Sequence, residues 1–104
     1  MTMGGNLGFG YTPAHVTADT QVAAGAGVLH NVVVNGLTTA GDVTIYDSLT
    51  EAGTVIAVVH LDLTTSVSVQ PITLAYDVRF GTGLYLGFDA TLAADVTVSF
   101  TARV

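Results

Sequence analysis

PITLAYDVRF, residues 71–80, alternates apolar and polar side chains at almost every step. Ile72, Leu74, Tyr76, Val78 and Phe80 fall on one side, with Thr73, Ala75, Asp77 and Arg79 on the other. Successive side chains of an extended chain point to opposite faces, so a period of two predicts a strand with one covered and one outward face. Pro71 has no N–H to give to a ladder and fits a strand start or an edge. The C-terminal DVTVSFTARV, residues 95–104, repeats the pattern. There Val96, Val98, Phe100, Ala102 and Val104 lie opposite Thr97, Ser99, Thr101 and Arg103. No useful length of chain carries the i, i+3, i+4, i+7 stripe of a helix.

VLHNVVVN (28–35) and GTVIAVVHL (53–61) are apolar on both faces. Such strands are expected in the middle of a sandwich or at a subunit contact. Turn signals separate the runs: AGAG at 24–27, NGLTTAGD at 35–42, DSLTEAG at 47–53, GTG at 81–83 and DATLAAD at 89–95. Strands at roughly 8–12-residue spacing predict an antiparallel sandwich or barrel. The expected fold is all-β, an antiparallel, jelly-roll-like β-sandwich of about seven or eight strands. The spacing alone does not separate a jelly roll from another sandwich topology. Residues 1–12 are Gly-rich around Leu7, Phe9 and Tyr11 and read as an N-terminal arm. Residues 13–104 form the single domain, since halves of a 104-residue chain would be too small to bury a core.

Charge narrows the function. Only 10% of residues are charged, against about 25% in an ordinary domain. Lysine is absent, and Arg79 and Arg103 are the only cations beside the histidines. A formal charge of −6 repels phosphate, so nucleic-acid binding is not expected. The absence of cysteine rules out a disulfide framework and a Cys-bound zinc. The start MTMGGNLGFGYTP lacks the basic and apolar regions of a signal peptide, and no apolar stretch approaches the ~18 residues of a membrane span. The expectation is a cytoplasmically made protein with no membrane partner. A surface so poor in charge must use Thr, Ser, Asn, Gly and apolar atoms, and such a surface tends to associate. Much of it is expected to be covered by copies of the chain or by a partner.

The polar residues suggest no reaction centre. Asp42, Asp47 and Glu51 do not follow the D-x-[DN]-x-[DN]-G order of a calcium loop. Asp47 suits a turn start, accepting N–H groups two residues on. His15, His30 and His60 stand singly on separate strands, without the spacing that puts two metal ligands on one face. His30 shares the nominal face of Val28, Val32 and Val34, which predicts a partly buried ring with a backbone partner. GTGLYLG lacks both the spacing and the following helix of a phosphate loop, and reads as a hairpin. No G-x-S-x-G elbow surrounds Ser48, Ser66, Ser68 or Ser99. Asp77 and Arg79, two apart on an outward face, are expected to pair with each other or across a subunit boundary. Catalytic, cofactor-binding and metal residues are therefore expected to be none. For a sugar-binding surface the aromatic candidates are Tyr46, Tyr85 and Phe88.

The order LHNVVVN, GDVTIYDS, GTVIAVV, ITLAYDVRFGTGLYL, DVTVSF resembles a pattern of small virion structural proteins of tailed bacteriophages. It covers residues 28 to 100. The resemblance implies a β-sandwich on a phage particle, as a capsid decoration (cement) protein or part of a head or tail appendage. It also implies a homotrimer or other cyclic oligomer that touches the major capsid or another virion protein. No catalytic residues come with it. The function expected is that of a non-enzymatic decoration protein stabilising the head, the alternative being an adhesive or carbohydrate-binding module of a head fibre or tail appendage. The contact residues expected are Leu7, Phe9 and Tyr11 of the arm; Val28, His30, Val32 and Val34; Val55, Ala57 and Val59; and the pair Asp77 and Arg79.

Overall fold

The computed structural model describes residues 11–62 and 71–102. These form eight strands: β1 (Thr12–Val16), β2 (Thr20–Ala24), β3 (Gly27–Thr39), β4 (Gly41–Thr50), β5 (Ala52–Leu61), β6 (Ile72–Phe80), β7 (Gly83–Phe88) and β8 (Ala93–Ala102). Two antiparallel four-stranded sheets result, one in the order β1-β8-β3-β6 and the other in the order β2-β7-β4-β5. Only β4 and β5 are consecutive strands paired within one sheet; every other connection crosses between sheets. Eight strands wound in this order make the jelly roll, the double-sheet solution found in viral capsid and lectin domains.

The alternation read from the sequence builds the core. Val96, Val98 and Phe100 of β8 point inward, as do Val43 and Ile45 of β4 and Leu84 and Leu86 of β7. Each apolar side chain so covered contributes about 1.5–3 kcal/mol relative to exposure. Phe80, at the end of β6, is buried against Gly27 of β3. A Cβ on Gly27 would stand 2.4 Å from the Thr101 carbonyl oxygen and 2.6 Å from the Phe80 ring. Only glycine permits that approach. Among the described residues no polar or charged side chain lies fully buried.

Register shifts interrupt the simple alternation at several places, and two of them bear on the expected contact residues. Between Leu29 and Asn31 the register of β3 shifts against both neighbours. Leu29 therefore points inward, His30 and Asn31 turn outward, and Val32 returns to the core. Between Ile45 and Tyr46 the partner on β5 jumps from Ala57 to Val55, leaving Ile56 as the extra residue. Ile56 and Ala57 both lean inward, and Val55 and Val58 both face out. A one-residue insertion exchanges the faces of everything beyond it.

Several expectations change in consequence. GTG at 81–83 is a crossing between sheets rather than a hairpin, since β6 and β7 belong to different sheets. Of the two strands expected in the middle of a sandwich or at a subunit contact, β3 is internal to its sheet and β5 is an edge strand. NGLTTAGD at 35–42 is mostly strand, with β3 running to Thr39 and β4 starting at Gly41.

Candidate interaction surfaces

Asp42 and Asp47 of β4 and Glu51 just after it have three different tasks. Asp47 accepts the N–H of Gly81 (3.0 and 2.9 Å), of Thr82 (2.8 Å) and, more weakly, of Gly83 (3.4 Å). These donors, Gly81 first, hold its carboxyl below the ordinary value of 3.8. Asp47 was expected to bond two residues on, but it clamps a crossing 34 residues away. The local turn bond belongs to Ser48, whose Oγ accepts the Thr50 N–H at 3.2 Å. Asp42 contacts His60 Nδ1 at 2.7 Å, and its carbonyl accepts the Asp89 N–H at 2.9 Å. Glu51, at the β4–β5 turn, reaches back over Gly87 of β7: a Cβ on Gly87 would meet Glu51 Oε2 at 2.6 Å.

Each histidine is matched with an aspartate. His15 Nε2 lies 2.8 Å from Asp95 Oδ1, and Asn35 Nδ2 donates to the same oxygen at 3.0 Å. These bonds, with His15 leading, hold the Asp95 carboxyl below its ordinary value. His30 Nδ1 lies 2.5 Å from Asp77 Oδ1, and Tyr11 stacks on the His30 ring at 4.1 Å with an interplanar angle of 5°. The partner of His30 is thus a carboxylate from the next strand and not the backbone. Asp77 takes φ +49°, a left-handed conformation that short polar side chains tolerate best. Within the chain Asp77 contacts His30 rather than Arg79, and Arg79 faces outward across from Val28. Among the described residues no group of three or more His, Cys, Asp or Glu converges as a metal cage.

The contact residues expected from sequence divide accordingly. Tyr11 is 48% exposed, and Val28 and His30 are half-buried on the outer face of the first sheet. Val32 and Val34 are core residues at 0% exposure and offer no surface, because the bulge at His30 turns them inward. On β5, Val55 is outward and 49% exposed, whereas Ala57 and Val59 pack against the core. The outward partner of Val55 is Val58, at 47%. Sequence reading missed it because the odd-numbered alternation breaks at Ile56. Leu7 and Phe9 lie outside the described residues, as does Arg103.

The second sheet's outer face also carries aromatic groups. Tyr46 and Tyr85 are directly opposed across β4 and β7, ring centroids 6.2 Å apart at 68°. Phe88, the third aromatic candidate, pairs with Val43 and packs against the core, so it presents no platform. Gln21 stands opposite Tyr85 on β2, and Asp19 Oδ1 accepts the Phe88 N–H at 2.6 Å nearby. Partial burial, then the charges of Asp19 and Glu51, raise the Tyr85 hydroxyl above its ordinary value.

No family model matches the chain, and neither the curated proteins nor the solved structures contain a match.

Proposed function

We propose that the protein is a non-enzymatic structural component of a tailed-phage particle, most simply a decoration protein that ties neighbouring head subunits together as a cyclic homo-oligomer. The observation that carries this reading is β5. It is a sheet edge ten residues long, holds no Asp, Glu, Lys or Arg, and exposes Val55 and Val58. Edges that stay in water are normally guarded by charge, proline or distortion. The bulge at Ile56 distorts this edge, and its one ionisable side chain is His60, held by Asp42. The jelly roll adds support, being a frequent architecture of particle-building domains.

The mechanism is burial. A specific interface removes about 1,200–2,000 Å² in total, and each Å² of apolar area contributes about 25 cal/mol before association entropy is subtracted. Repetition around a closed shell makes modest contacts collectively strong. The low charge serves the same end, since few groups must be desolvated when surfaces meet.

Reconstitution tests the proposal. Purified chain is mixed with expanded heads that lack it, and bound chain is counted per head after sedimentation. A fixed, saturable number per head, with greater resistance of the heads to heat, is expected. Absence of binding at saturating chain would reject the decoration role.

A further inference from the structure

The outer face of the second sheet carries a small constellation beside the β5 contact, with Tyr46 directly opposite Val55. Tyr46 and Tyr85 form an edge-to-face pair at 6.2 Å, a geometry in which one ring supports the other. Beside them Gly87 is buried, with the Glu51 side chain resting over it. Among the described residues no hydrogen-bond donor reaches that carboxylate, so its acceptor capacity is unused. Asp19 is fixed at the same margin by the Phe88 N–H, and Gln21 stands across from Tyr85.

The chemistry of these groups selects their ligand. Two carboxylates supply only acceptors, while the phenols and an amide can act both ways. A ligand must therefore bring several hydroxyl or amide donors together with an apolar face to lie on a ring. It must carry no negative charge, given Asp19, Glu51 and the net −6 of the chain. A pyranose ring without acidic substituents meets all three conditions. We propose that Tyr46, Tyr85 and Glu51 form a shallow site for neutral hexose or N-acetylhexosamine units of a glycan, flanked by Asp19 and Gln21. Such a site would let a particle component hold a polysaccharide surface weakly at each copy and firmly through many copies.

The test uses the ¹⁵N-labelled full chain, whose amide resonances are followed as a neutral methyl hexoside, methyl N-acetylglucosaminide or sialyllactose is added at millimolar concentration. Shifts confined to Tyr46, Glu51, Tyr85 and Gly87 with one of the neutral sugars, and none with sialyllactose, are expected. Tyr85→Ala should weaken the response by about tenfold or more. The exposed Glu51→Gln, which leaves both rings in place, should weaken it measurably without altering the spectrum elsewhere. Val58→Asp, outside the site, should leave sugar binding unchanged even where it disrupts self-association, so the two proposals fail separately. Lack of any shift with the neutral sugars, or shifts mapping to another face, overturns the site. So does a response at these residues to calcium or a basic peptide alone.

Discussion

Strands β5 and β6 are each an edge strand of their own sheet, on opposite layers, and they are finished differently. Strand β6 alternates cleanly, exposes Thr73, Ala75, Asp77 and Arg79, and is bent by Asp77 at φ +49°. Its last residue, Phe80, anchors it in the core. Strand β5 is bulged too, but its exposed side chains are two valines and small or neutral groups, with only His60, held by Asp42, able to ionise. The first edge is built to meet water. The second lacks such charge, which is why we propose that it meets protein, and the distribution of charge, more than the backbone, tells them apart.

That contrast can be attacked at both edges. The largest effect belongs to Phe80→Ala, which opens a cavity beneath Gly27 and should destabilise the fold by about 3–5 kcal/mol in denaturant unfolding. Val58→Ala on β5 should fall within about 0.5 kcal/mol for the isolated chain. Equal losses at the two positions would mean that β5 is as fully packed as β6.

Next in size is Asp47→Asn, which loosens the crossing that launches β7 from the end of β6. Loss of the charge-assisted bonds to Gly81 and Thr82 should cost about 2 kcal/mol at neutral pH. The folded carboxyl titrates below its ordinary 3.8, so its contribution is complete above that value and disappears as pH falls through the folded one. The gap between variant and parent should therefore close in acid, and a gap independent of pH would assign the effect to packing. Asp77→Gly is smaller still. Relief of the left-handed conformation returns about 1 kcal/mol, and loss of the exposed His30 contact removes about 0–1 kcal/mol, leaving a net change near zero or slightly stabilising by thermal unfolding. A large loss would show that the His30–Asp77 contact holds the β6 edge in place.

The fold class was legible because PITLAYDVRF and DVTVSFTARV state their faces directly, and glycine or aspartate marks most turns. The sheet in which each strand sits was not, since crossings such as GTG and hairpins share the same turn residues. The bulges were hidden for a related reason. Nothing in VLHNVVVN or GTVIAVVHL marks His30 or Ile56 as the extra residue, because valine suits either face. Hence Val32, Val34, Ala57 and Val59 were expected at a contact surface and Val58 was not named. The tyrosines of the proposed glycan site could be named from composition. Their pairing, and the return of Glu51 over Gly87, depend on the register of β4 against β7 and on the shape of one turn, which no local pattern encodes.

Sedimentation equilibrium of the purified chain, alone and as the Val55→Asp/Val58→Asp double variant, tests most directly whether β5 is a covered edge. The parent should sediment as a closed oligomer and the double variant as a folded 10.6 kDa monomer with its circular dichroism intact. A parent that remains a 10.6 kDa monomer at high concentration, indistinguishable from the double variant, would contradict the account.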